Sequence, residues 1–224
     1  MRSLSFAAAV ACLAAHADAR LNWGTCPEYS RQPGFDTERY MGTWYSIKKN
    51  FMNLYEIGRT CTTQNWKLND DGSVRFYNRS GGQGWFGGEM SYGGGMGKGV
   101  ESMVDGPGSL VLSVFGEPDP QDESDYNVIE TDYETYALVY NCEETNIFWG
   151  WTLSRETFTI LGRSPSPLPE KMIDRLEDRM REIVPNYDYY IVDVYQGEMC
   201  EYKPEPEDNP DEVSIEEENF LQNP

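Results

Sequence analysis

The sequence predicts an all-β fold: an eight-stranded antiparallel up-and-down β-barrel with one α-helix packed outside it near the C-terminus. Two observations lead there. Short segments rich in aromatic and β-branched residues alternate with turn signals along most of the chain. A single amphipathic helix then follows them. A barrel leaves no strand edge open, and at eight strands its interior just holds side chains or one small ligand. A two-sheet sandwich is the structural alternative, but it has no evident use for the late helix.

The first residues fall outside the fold. Arg2 supplies a positive start, Phe6 to Ala15 is an Ala-rich apolar run, and Ala17-Asp18-Ala19 fits a small-x-small cleavage site. Residues 1–19 are therefore read as a secretory signal, too short to span a bilayer as a helix. Residues 20–200 form one barrel domain. Residues 201–224, rich in Glu, Asp and Pro, form an acidic tail whose composition disfavours a packed structure.

The candidate strands follow in order. Gly42 to Ile47 is aromatic and β-branched, and Thr62 to Leu68 is the next. Asn69 to Gly72 is a hairpin turn into Ser73 to Asn78. There Val74, Phe76 and Asn78 share one face, which is assigned to the interior. Ser80 to Gly99 holds ten glycines interrupted by aromatic and Met residues and reads as a flexible hairpin or loop near the mouth. It is not a phosphate loop, because position 92 is Tyr92 and Gly99 stands where Ser or Thr would hold magnesium. Ser109 to Phe115, Tyr126 to Thr131, Tyr136 to Cys142 and Phe148 to Ser154 add four strands. Ile173, Leu176, Met180 and Ile183 then recur at helical spacing after Pro169 and Glu170, and Pro185 closes that helix. Tyr189 to Val194 is the last strand.

Composition excludes several functions. The formal charge of −20 argues against nucleic acid and anionic membranes. His16 lies in the leader, so the mature chain has no imidazole for a Ser-His-Asp triad, a haem ligand or the common zinc sites. Cys12 also leaves with the leader. Cys26, Cys61, Cys142 and Cys200 remain, an even number in an oxidising compartment, and two disulfides are expected. Spacing alone allows three connectivities.

Three segments resemble the lipocalin family. Gly42-Thr43-Trp44, preceded by Tyr40, is similar to its first motif, G-x-W. Thr131-Asp132-Tyr133, followed by a strand ending in Cys142, is similar to its second. Trp151 to Arg155 resembles the third, and Leu168-Pro169-Glu170 opens the helix as in the family. The resemblance is closest to the apolipoprotein D and insect bilin-binding branch and covers about Cys26 to Cys200.

The resemblance implies disulfides Cys26–Cys142 and Cys61–Cys200, and a structural stack of Trp44 with Arg155 at the closed end. It implies a ligand pocket lined by Tyr40, Trp66, Asn78 and Trp151, which Phe76 joins because it shares the face of Asn78 by strand alternation. Asn78 also begins an N-glycosylation sequon with Arg79 and Ser80, which implies exposure; its shared face with Val74 and Phe76 favours the cavity. The function implied is that of a secreted, non-enzymatic carrier of one small hydrophobic molecule: a bilin or other tetrapyrrole, a carotenoid or retinoid, or a steroid or fatty acid. A bilin or carotenoid chromophore is compatible, and no cofactor is required. No nucleic-acid, metal or membrane-spanning role is expected. Two rivals are an enzyme on the same scaffold acting on a lipid or isoprenoid through a free cavity cysteine, and an interaction protein working through its acidic tail.

Overall fold

A computed structural model describes residues 20–50, 59–82, 90–185 and 187–202, so the segment read as a secretory signal and nearly all of the segment read as an acidic tail lie outside it. Ten strands form one antiparallel sheet: β1 (Arg20–Trp23), β2 (Gly42–Asn50), β3 (Arg59–Leu68), β4 (Val74–Gly82), β5 (Ser91–Glu101), β6 (Ser109–Ser113), β7 (Tyr126–Thr131), β8 (Tyr136–Asn146), β9 (Thr152–Gly162) and β10 (Ile191–Asp193). Strands β2 to β9 each pair with the next, and β9 returns to β2 from Tyr45↔Gly162 to Lys49↔Thr159. That last pairing closes an eight-stranded barrel. β1 and β10 are short additions, on β9 and on β2.

The Gly-rich stretch is where the structure sharpens the sequence reading most. Of the two readings, hairpin or loop, the pairing fits the hairpin: residues 91–101 are strand β5, antiparallel to β4 through nine positions from Val74↔Gly99 to Gly82↔Ser91. Ladder hydrogen bonds come from the backbone and need no side chain. Several of these glycines are required by close approach. A Cβ on Gly94 would lie 2.3 Å from the Asn78 carbonyl, and one on Gly97 2.4 Å from the Ser113 carbonyl. Two further boundaries also change. Phe148–Gly150 is a 3-10 turn, so the strand read as Phe148 to Ser154 starts at Thr152 and runs on to Gly162. The segment Tyr189 to Val194 contributes only the three residues of β10, outside the barrel.

Two helices flank the barrel. The single turn α1 (Thr37–Tyr40) begins at Asp36, whose carboxylate accepts from the Arg39 N–H at 3.1 Å. It carries the buried Tyr40 to the end of the barrel where β2 starts and β9 finishes. Helix α2 (Glu170–Ile183) follows the predicted spacing and buries Leu176, Met180 and Ile183. These pack on the outer face against Ile129, Leu138, Tyr140, Phe158 and Ile160. Fully burying each such side chain is worth about 1.5–3 kcal/mol. Lys48 of β2 ties the helix further through Glu177 at 3.1 Å.

Both disulfides join the pairs implied by the resemblance, Cys26–Cys142 and Cys61–Cys200. The first secures the N-terminal segment, which then crosses the outside of β7 through Gln32 N–H to the Val128 carbonyl at 2.9 Å. The second secures the C-terminal segment, where the Gln196 amide donates to the Ser46 and Thr62 carbonyls, both at 2.9 Å.

Candidate functional site in the barrel interior

Alternation along each strand decides which side chains face inward. Trp44 of β2 pairs with Gln64 of β3, and Trp66 of β3 pairs with Phe76 of β4, so these four share the inner face. Leu110 and Leu112 of β6, Tyr126 and Val128 of β7, Val139 of β8 and Leu161 of β9 join them. The result is an aromatic floor at the α1 end. Tyr40 and Trp44 are wholly buried with ring centroids 5.0 Å apart, and Trp66 sits 5.6 Å from Phe76 and 4.8 Å from Tyr126.

A polar chain runs through this floor. The Tyr40 and Tyr126 hydroxyls lie 2.7 Å apart, and Tyr126 donates to the Gln64 carboxamide oxygen at 2.8 Å. Since that oxygen only accepts, Tyr40 donates to Tyr126 in turn. Burial pushes both phenols well above their ordinary pKa of 10.0, and they stay protonated as donors. The indole N–H of Trp66 is buried without a hydrogen-bond partner.

The floor is sealed from below by Arg163. Its guanidinium lies 3.6 Å over the Trp44 ring and donates to the carbonyls of Tyr133, Arg39, Tyr40 and Thr43 at 2.8–3.3 Å. The stack expected between Trp44 and Arg155 is therefore corrected. Arg155 lies toward the other end of β9 and pairs with Glu143 at 2.8 Å. The strand is longer than its aromatic start suggested, and its closing arginine follows Gly162.

The interior changes character above the floor. Phe76 is 4% exposed, whereas Asn78, two residues along the same face, is exposed. Asn78 faces Gln64 on one side and Gly95 on the other. Gly93, Gly95, Gly97 and Gly99 alternate along the inner face of β5, so that wall carries no side chains at these positions. A Cβ on Gly97 or Gly99 would strike Phe76 or Val74, but one on Gly95 would meet nothing within 4 Å.

Of the five pocket residues expected from sequence, Tyr40, Trp66 and Phe76 come together in the floor, and Asn78 borders the open part. Trp151 does not join them. It precedes β9, is 59% exposed, and packs edge-on against Trp23 at 5.3 Å. Tyr126, Gln64, Gly95 and Arg163 were missed. A signal for Tyr126 existed in the two-residue step to Val128. None singled out Arg163 beyond its place ahead of the Leu168-Pro169 helix start.

The four cysteines of the described chain are joined in pairs, so none of them is a free thiol. No cluster of His, Cys, Asp or Glu able to hold a metal occurs among the described residues, nor does a helix long and apolar enough to cross a membrane.

Comparison with known proteins places this architecture. Residues 35–183 match the lipocalin-like domain. Apolipoprotein D of Mus musculus is 34% identical over 159 residues, covering 69% of this chain and 74% of that protein. Retinol-binding protein 4 of Gallus gallus is 25% identical over 168 residues, covering 67% and 79%. Among solved structures, insecticyanin from the tobacco hornworm Manduca sexta aligns with a TM-score of 0.64 at 20% identity, over 82% of this chain and 93% of that one. Lobster apocrustacyanin A1 aligns with a TM-score of 0.58 at 21% identity, over 80% and 93%. At these identities the structural likeness speaks to the fold.

Proposed function

This chain belongs to the lipocalin family, and we propose that it binds and carries one small hydrophobic molecule inside the barrel. The observation that carries this reading is the change along the inner face: a packed aromatic floor below, and above it an exposed Asn78 facing Gly95, where an added Cβ meets open space. A molecule resting there meets Trp66 and Phe76 at one end and the bare backbone of β5 along one side. Transfer of its apolar surface from water contributes about 25 cal/mol per Å². Gln64, whose oxygen is taken by Tyr126, leaves its amide nitrogen as a donor for one acceptor group on the ligand.

Flat conjugated molecules suit an aromatic floor and a side-chain-free wall. One relative is named for retinol, so a retinoid is the first candidate. A bilin, a carotenoid, a steroid and a fatty acid follow. Carriage rather than catalysis is favoured because Cys26, Cys61, Cys142 and Cys200 are paired and residues 20–224 contain no histidine. The leader-like residues 1–19 and the two disulfides support action outside the cell.

Titration of delipidated protein with retinol, an 18-carbon fatty acid, a steroid and biliverdin tests the proposal. Saturable one-to-one quenching of tryptophan emission by at least one class is expected. Absence of saturation by all four, in protein shown to be folded, would overturn it.

A further inference from the structure

Three tryptophans gather at the end of the barrel opposite Arg163, where the turn between β8 and β9 lies beside β1. Trp23 is 69% exposed, Trp149 90% and Trp151 59%. Together with Gly24, Thr25, Gly150 and Thr152 they line an open cleft of about 460 Å³. Indoles are seldom left this exposed in a group, and grouped exposure marks an interaction surface.

The backbone presents them. Trp149 has φ 66° and ψ 27°, a left-handed conformation rare for a bulky residue, and Gly150 continues it at φ 76°. Strain of this kind persists where the surroundings impose it and clusters at functional sites. Trp23 and Trp151 meet at 80° with centroids 5.3 Å apart, so their rings stand as two walls at a right angle, and Trp149 lines the same cleft. Aromatic walls at right angles are the arrangement that receives a quaternary ammonium group through the negative ring faces.

Charge narrows the partner. None of the seven lining residues is charged. On the adjoining part of β8 Glu143 is paired with Arg155, Glu144 accepts from the Cys26 N–H at 2.7 Å, and the whole chain carries −20. An anionic surface is repelled, as is a second copy of the chain. A surface that is neutral overall and leads with a cation is favoured, and tryptophan settles at the headgroup level of bilayers.

We propose that this cleft docks the protein on lipid surfaces presenting phosphatidylcholine, with the choline trimethylammonium seated among Trp23, Trp149 and Trp151. The site is separate from the barrel interior, and it stands or falls independently of what the interior carries. It places the end of the barrel opposite Arg163 against a source of apolar molecules.

Flotation with phosphatidylcholine vesicles, with and without added phosphatidylserine, tests this on the full secreted chain. Two variants accompany it, Trp149→Gly and the double substitution Trp149→Gly with Trp151→Ser. Glycine suits the left-handed backbone at position 149, so the first variant is expected to keep or raise the unfolding midpoint. The native protein is expected to float with pure phosphatidylcholine and shift its emission to the blue. Phosphatidylserine should weaken binding, millimolar phosphocholine should compete, and the double variant should lose about tenfold or more in bound fraction. No flotation, binding unchanged in the folded double variant, or binding strengthened by phosphatidylserine would overturn the proposal. So would sedimentation showing that the cleft instead joins two copies of the chain.

Discussion

The guanidinium of Arg163 lies 3.6 Å over the indole of Trp44 and donates to four backbone carbonyls drawn from α1, the start of β2 and the β7–β8 turn. One side chain thus joins the three segments that shut the barrel at that end. Arg163→Ala is expected to lower stability by about 2–4 kcal/mol, combining loss of the stack with loss of charge-assisted bonds to buried carbonyls. Arg163→Lys should recover only part, because an ammonium cannot span the same fork. Arg155→Ala, which breaks a partly exposed pair with Glu143, is expected to change stability by less than about 1 kcal/mol. Urea unfolding of the three variants measures the contrast.

The glycines of β5 make opposite predictions two residues apart. Gly97→Ala puts a Cβ 2.4 Å from the Ser113 carbonyl and 2.5 Å from Phe76, and is expected to destabilise by about 1–3 kcal/mol. Gly95→Ala meets nothing within 4 Å and should be close to neutral. Thermal unfolding of the pair checks this. A larger side chain at the same place, Gly95→Phe, should leave the fold intact and fill the space assigned to ligand.

These glycines show what was legible in the sequence and what was not. Alternation of Val74, Phe76 and Asn78 identified the inner face of β4 correctly. The same rule was silent on β5, because a strand whose inner positions are Gly93, Gly95, Gly97 and Gly99 has no apolar alternation to read. The 3.6-residue period of α2 was plain, since one flank of that helix must be apolar to lie on the barrel. Strand ends were less so. β9 pairs with β8 over eleven positions, and nothing in its alternation says that it stops at Gly162 rather than near Arg155. Trp151 was implied as a cavity residue by the resemblance of the segment Trp151 to Arg155 to the third motif, whereas the arginine that stacks on Trp44 is Arg163, past the other end of β9.

The two disulfides bridge residues 116 and 139 positions apart. Loops of this length constrain the unfolded chain strongly. Replacing Cys26 and Cys142 together by Ser is expected to cost about 2–5 kcal/mol, and Cys61 with Cys200 a similar amount. Because the loops overlap, removing all four should cost less than the sum. Denaturant midpoints of the three variants test this without any ligand present.

Asp132 accepts backbone N–H bonds from Glu134, Thr135 and Tyr136 at 3.1, 2.7 and 3.1 Å, holding the turn between β7 and β8. Partial burial pushes its carboxyl up, but these donors outweigh it and hold the pKa below the ordinary 3.8. The folded value is therefore the lower one. The contribution is present above the ordinary carboxylate range and disappears as the pH falls through the folded value. Asp132→Asn is expected to cost about 1 kcal/mol at pH 7, a figure kept small because the exposed carboxylate is screened by solvent. From about pH 4 downward the difference between variant and parent should start to shrink, vanishing below the folded value, which a series of unfolding midpoints against pH will show.

The central claim is that the space above the aromatic floor holds one small apolar molecule. Native mass spectrometry of the purified protein, after exposure to the mixed apolar panel, tests it most directly when run beside Gly95→Phe. One ligand per chain in the parent, and none or far less in the equally folded variant, is the predicted result. Equal ligand occupancy in both, or none in the parent, would contradict it.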